Sequence, residues 1–270
     1  MTDQSLDQSL DSVLTARRVD ETTDVLTVPP GFGQGKATFG GLVVGACVRS
    51  MQARVGDEKR RLRSVSAQLI GAPSPGEVTI RVRLLRASLT VSTFTADLEQ
   101  NGLVMTHVVG VFASDRPVDL GWQTLTAPVA PPWREVEALD MNNPFAPEFT
   151  KHFEFRNLGA VPFSGSKAAS VGYVRPVTPC QVRDGAWLAC LVDVWWLGCI
   201  TRLEELRPAA TLTLNAEFHA PVEGLDVEAP LLHRGESHLL RHGYSQETRE
   251  LWGVDGRLLV TATELVTIIK

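Results

Sequence analysis

The residue best placed to do chemistry is Asp193. It stands in LACLVDVWWLG (188–198), inside the longest nearly apolar run of the chain, Ala186 to Ile200. A carboxylate taken out of water needs partners, and buried ionisable groups gather at functional sites. Such an aspartate can orient or deprotonate a water; the plainer alternative is an exposed helix face or a capped turn. Other motifs carry less. GFGQGKAT (31–38) looks like a phosphate loop, but Pro30 stands at its first glycine position and Ala37 where a hydroxyl would hold magnesium. Lys36 likewise replaces the third glycine of a dinucleotide fingerprint. His238 and His242 have i, i+4 spacing without the HExxH glutamate, so no metal is expected. Lys59, Arg60, Arg61 and Arg63 suit either phosphates or a solvated loop at a helix end.

These groups act only if regular elements hold them. Residues 38–55, TFGGLVVGACVRSMQARV, read as a helix with Thr38 as N-cap and Arg49 and Arg54 at the negative end of its dipole. Leu42 to Val48 is apolar on every side and rich in small residues, which predicts burial all round and close neighbours. From Val65 the period is two: Val65, Ala67 and Leu69 alternate with Ser64, Ser66 and Gln68. Strands are expected over 78–85, 89–99 and 103–113, with Asn101-Gly102 as a hairpin turn. Residues 115–150 hold six prolines and read as a surface linker. Strands at 151–158 and 169–177 follow, then a helix-like stretch from Trp187. TLTLNAEFHAP (211–221) and strands around 238–252 and 257–269 complete the chain. Residues 1 to about 20 read as a mobile arm or a loose first helix.

This order repeats. Leu69-Ile70-Gly71-Ala72 lies against Phe218-His219-Ala220-Pro221 at an offset of 149, and Gly102 lies against Gly256 at 154. Val65, Ala67 and Leu69 then match Leu214, Ala216 and Phe218 on one strand face. The domains are taken as 1–114, a linker at 115–150, and 151–270.

Composition bounds the rest. The chain has 270 residues, is 44% hydrophobic and 21% charged, and carries a formal charge of -5, which argues against a chain built to bind nucleic acid. Asp193 interrupts the only long apolar run, so no membrane span is expected. MTDQSLDQSL carries acids where an export signal carries lysine or arginine. With no CxxC among Cys47, Cys180, Cys190 and Cys199, a cytoplasmic protein with reduced thiols is expected.

FGGLVVGACV (39–48), AQLIGAPSPGE (67–77), HFEFR (152–156), YVRP (173–176), LACLVDVWWLG (188–198), ATLTLNAEFHAP (210–221) and LWGVDGRLLVTATE (251–264) occur in this order. Together they resemble the double-hotdog acyl-CoA thioesterases of the type II family, over roughly residues 30–270. The resemblance implies an α+β double hotdog, two antiparallel sheets each wrapped around a central helix and pairing edge to edge. It implies hydrolysis of acyl-CoA thioesters in fatty acid metabolism, acyl-CoA as partner, a homo-oligomer, and no metal or redox cofactor. The family's catalytic aspartate falls on Asp193 and its threonine on Thr211, with Thr213 taken to share that strand face. Its glutamine position is Glu264 here, and an ionised glutamate only accepts hydrogen bonds where glutamine also donates. The helix start near Trp187 is expected to offer N–H groups to the thioester oxygen. Applied to the three positions, the repeat offsets lead to Val44, Leu62 and Gly110, so a single site per chain is expected. Two other functions fit the fold: a non-catalytic acyl-CoA or acyl-carrier binding protein, which Glu264 favours, and an enoyl-thioester hydratase or dehydratase. The absence of histidine from both central helices disfavours the latter.

Overall fold

A computed structural model describes residues 9–269. The strands are β1 (Arg17–Arg18), β2 (Thr23–Val28), β3 (Gly33–Gln34), β4 (Ala37–Thr38), β5 (Arg61–Leu69), β6 (Gly76–Ala87), β7 (Val91–Gln100), β8 (Leu103–Ala113), β9 (Phe153–Asn157), β10 (Ala169–Pro176), β11 (Ala209–Phe218), β12 (Leu231–Arg241), β13 (Tyr244–Trp252) and β14 (Leu258–Ile268). The α-helices are α1 (Leu10–Leu14), α2 (Gly40–Gln52), α3 (Gly185–Leu191) and α4 (Gly198–Thr201). Twelve strands form one antiparallel sheet in the order β1-β2-β6-β7-β8-β5-β11-β14-β13-β12-β10-β9, and β3 and β4 form a separate pair. The two sheets expected to pair edge to edge are thus joined into one continuous sheet. β5 and β11 bond across the middle, Ala67 opposite Leu214 and Val65 opposite Ala216, and this seam pairs two edges that would otherwise be exposed.

Local sequence explains the strands. Asn101 and Gly102 both take positive φ, 54° and 76°, and turn β7 into β8 as an Asn-Gly hairpin should. The repeat reappears as backbone geometry. A bulge interrupts β5 between Leu62 and Ser64, and another interrupts β11 between Thr211 and Thr213, at the offset of 149. Val65 opposite Gly110 corresponds to Leu214 opposite Glu264. β2 was missed in the sequence reading, although TDVLTV alternates in burial against β6.

The main apolar cluster joins α1, α2, α3 and the inward strand faces, and two smaller ones lie around Trp252 and around Val266. Residues 1–8 of the expected N-terminal arm lie outside the described residues. Leu10, Val13 and Leu14 of α1 are buried, and the Asp11 carboxylate accepts from the Gln181 and Val182 N–H groups. No helix among the described residues is long and apolar enough to cross a membrane.

Candidate active site

α2 and α3 run antiparallel and close, because glycine leaves room between them. A Cβ on Gly41 would overlap the Cys190 carbonyl oxygen, and one on Gly45 would sit 3.0 Å from the Ala186 carbonyl oxygen. The crossing brings the first turn of α2 to Asp193, just past the C-terminus of α3. A Cβ on Gly40 would lie 2.7 Å from Asp193 Oδ2, and the Gly41 N–H donates to this carboxylate. α2 has no side-chain cap: Phe39 occupies the N-cap, and the Thr38 hydroxyl, expected there, donates instead to the Pro73 carbonyl at 2.7 Å. Uncapped N–H groups and the positive dipole end favour an anion. The first turn of α3 is used differently. Asp184 caps it by accepting from the Trp187 N–H at 3.0 Å and pairs with Arg49, also at 3.0 Å. The expectation that the helix start near Trp187 serves the thioester oxygen is therefore corrected; that end lies away from Asp193.

Asp193 belongs to a buried group of four. Glu264 and Glu247 face each other across β14 and β13, and Arg249, two residues along, shares their inward face. Arg249 Nε lies 3.1 Å from Glu264 Oε1 and 3.3 Å from Glu247 Oε1, and its Nη1 lies 3.9 Å from Asp193 Oδ1. The side chains of Glu247, Arg249 and Glu264 are fully buried, and Asp193 retains 8% exposure. Burial pushes the Asp193 carboxyl up to about 6, against the opposing pull of Arg249 and the Gly41 N–H. Burial also holds Glu264 well above the ordinary glutamate range, and the charges of Asp193 and Glu247 add to it. The two carboxyl groups are within hydrogen-bonding reach, so a proton on Glu264 bonds it to Asp193. In that form Glu264 donates as a glutamine would.

Thr211 enters through the bulge. It pairs with the fully buried Val266 on the inward face, two ladder positions from Glu264. The bulge puts Thr213 on the opposite face, against the exposed Leu265, so the two threonines do not share a face. Among the described residues no hydrogen bond joins Thr211 to either carboxyl group. Glu247 and Arg249 were not anticipated from sequence. Period-two counting back from Leu251 along YSQETRELW puts both on the buried face, and that was the available signal.

The first half has the same scaffold without these groups. Its ladder registers match Gly110 to Glu264, Phe94 to Glu247, Ala96 to Arg249 and Leu62 to Thr211. Met51 reaches over Gly110, and a Cβ there would lie 2.9 Å from the Met51 methyl carbon. At that end a cleft of about 540 Å³ opens beside Leu62, Gly185 and Phe218, rimmed by Arg60, Arg63 and Arg183. The basic cluster is engaged with protein partners. Arg61 and Arg63 both pair with Asp115, and Arg60 bonds Asp57, Ser92 and the Ser88 and Leu89 carbonyls.

No curated protein sequence matches this chain at a significant level. Solved structures share its fold. A hot dog protein of unknown function from Alicyclobacillus acidocaldarius is 21% identical, with a TM-score of 0.88 over 97% of this chain and 98% of that one. An acyl-CoA thioesterase II from Mycobacterium marinum is 16% identical, with a TM-score of 0.77 over 96% and 98%. At such identities the likeness is one of fold. The sequence profile of the acyl-CoA thioesterase N-terminal domain matches residues 28–113, and that of the C-terminal domain matches residues 124–268. The chain belongs to the acyl-CoA thioesterase family.

Proposed function

We propose that the chain hydrolyses acyl-CoA thioesters at the Asp193 end of the helix pair. The observation that carries this reading is the Asp193 carboxylate, buried against the uncapped first turn of α2 and joined to Glu264. A carboxyl group raised to about 6 is ionised at neutral pH and still basic enough to take a proton. Asp193 removes a proton from water as the water oxygen attacks the thioester carbonyl carbon. The Gly40 N–H, at the start of α2 beside Asp193, stabilises the developing oxyanion. On collapse the C–S bond breaks and the sulfur of CoA leaves with the proton that Asp193 holds. Protonated Glu264 and Thr211 fix the water. The same reading puts the chain in fatty acid metabolism in the cytoplasm, as a homo-oligomer. The test is thiol release from acyl-CoAs of graded chain length by the wild-type protein and by Asp193→Asn. Release that survives unchanged in a folded Asp193→Asn protein removes this site from the reaction.

A second reading, an acyl-CoA binding protein without hydrolysis, is favoured by one observation: Arg249 is packed among the three carboxyl groups. Saturable acyl-CoA binding with no thiol release would select it.

A further inference from the structure

Helix α3 runs for only seven residues and stops at Leu191, and α4 begins at Gly198. Asp193 therefore sits on a turn whose N–H groups still bond back into α3, while the carbonyls beyond the helix end must find partners elsewhere. Two side chains of β13 supply partners at both ends of this stretch. Arg249 Nη1 donates to the Val192 carbonyl at 3.0 Å and to the Trp195 carbonyl at 3.2 Å, on either side of Asp193. Glu247 Oε2 accepts from the Gly198 N–H at 2.8 Å. Both side chains are wholly buried, and no step of hydrolysis as written above uses either one.

We propose that Arg249, assisted by Glu247, is a positioning residue that clamps residues 192–198 so that Asp193 faces the first turn of α2. This rests on the reading of Asp193 as the hydrolytic base. A guanidinium fits the task because its Nη1 bonds both carbonyls while its Nε lies within 3.3 Å of two carboxyl groups, two places that the single nitrogen of an ammonium cannot occupy. The groups facing Arg249 are Glu247 on its own strand, Glu264 on β14, Asp193 and Cys199 on the 192–201 segment, and His233 on β12. His233 is stacked on the Trp195 ring and bonded to Ser170, and burial with the nearby Arg249 holds it well below the ordinary histidine range. The charges bearing on the clamp are therefore those of Arg249 and the three carboxyl groups.

Two variants test the clamp. Arg249→Lys keeps the charge and loses the fork. Arg249→Met combined with Glu264→Gln removes the guanidinium while keeping a neutral donor at 264, so it differs from Glu264→Gln by the arginine alone. In both, kcat is expected to fall about 10- to 100-fold, with KM changed by less than about threefold. Amide exchange over 192–198 is expected to quicken by about tenfold relative to α2. Wild-type kcat together with unchanged exchange in Arg249→Lys overturns the proposal. So does a double variant whose kcat equals that of Glu264→Gln alone, since Arg249 would then only balance charge. A wild-type protein inactive on every acyl-CoA defeats the hydrolytic reading instead. Exchange alone then decides the clamp, quickened exchange supporting it and unchanged exchange overturning it.

Discussion

At one end of the helix pair the first turn of α2 meets Asp193; at the other the first turn of α3 meets Leu62. The two ends share a backbone plan down to the bulges in β5 and β11. They differ in what satisfies the helix terminus. Asp184 caps α3 from within its own sequence, whereas the anion facing α2 comes from the other half of the chain. A local cap stabilises a helix by about 1 kcal/mol and leaves nothing exposed for chemistry. An anion supplied from a distant segment must be held in place, and the buried Arg249 and Glu247 hold it. The comparison teaches that polar chemistry was concentrated in one of two equivalent places, while the other was filled with Met51, Phe94 and Leu62.

The largest effect is expected from Asp193→Asn. Loss of a positioned acid–base group should lower kcat by about 10²- to 10⁴-fold. Stability should move the opposite way. The folded-state value near 6 lies above the ordinary 3.8, so folding favours the protonated acid. That contribution is complete below about pH 3.8 and is lost as pH rises through 6. The neutral asparagine therefore gains up to about 3 kcal/mol at pH 7–8 and little at pH 4. Thermal melts at both pH values check this; a variant destabilised at pH 8 would mean that the carboxylate is well solvated or fully paired.

A smaller effect is expected where the helices touch. Gly41→Ala forces a methyl group against the Cys190 carbonyl, and overpacking of this kind costs about 1–3 kcal/mol. It also moves the turn that carries Asp193, so kcat should fall with Tm. Gly45→Ala has contacts at 3.0 Å and should cost less in both. Equal losses from the two variants would show that proximity to Asp193 is immaterial.

Glu264→Gln should change the shape of the pH profile more than its height. Burial holds the Glu264 proton well above the usual glutamate range, and in that protonated form it is a neutral donor, as glutamine always is. As pH rises further the proton leaves and a second buried anion forms beside Asp193, and the wild-type rate should fall. The glutamine variant should keep kcat within about threefold at pH 7 and lose that alkaline limb. An unchanged alkaline limb places Glu264 outside the site, and an inactive variant makes Glu264 itself the base.

Much of this was legible before any coordinates. The helix of residues 40–52, the Asn-Gly hairpin and the repeat follow from apolar period and turn chemistry, which are local signals. Asp193 stood out because an acid in an apolar run is costly. What escaped was contact between segments distant in sequence. Thr38 had the right type for a cap, yet a carbonyl from the 71–75 loop took its hydroxyl. Thr213 seemed to share a face with Thr211 because counting by twos cannot see a bulge. Glu247 and Arg249 carry no signal of their own, since only the register from Leu251 puts them on the buried face. That α2 rather than α3 aims at Asp193 depends on the antiparallel crossing, which neither helix encodes alone.

The smallest effect on catalysis is expected at Val44, where the repeat offset leads from Asp193. Val44 is fully buried in α2, among Val43, Ala46, Cys47 and Val48. Val44→Asn puts an amide where its neighbours are apolar, and burying an unpaired polar group costs on the order of 1–3 kcal/mol. The loss should appear as a lower denaturation midpoint with an unchanged denaturant dependence, the signature of lost stability without a change in the surface exposed. Activity per folded molecule should stay within about twofold, because no group at this position touches water or thioester in the proposed reaction. An asparagine that left stability intact while abolishing thiol release would mean that the first half also supplies polar chemistry. The contrast between the two ends would then be one of degree. A destabilised variant with normal turnover confines the reaction to the Asp193 end.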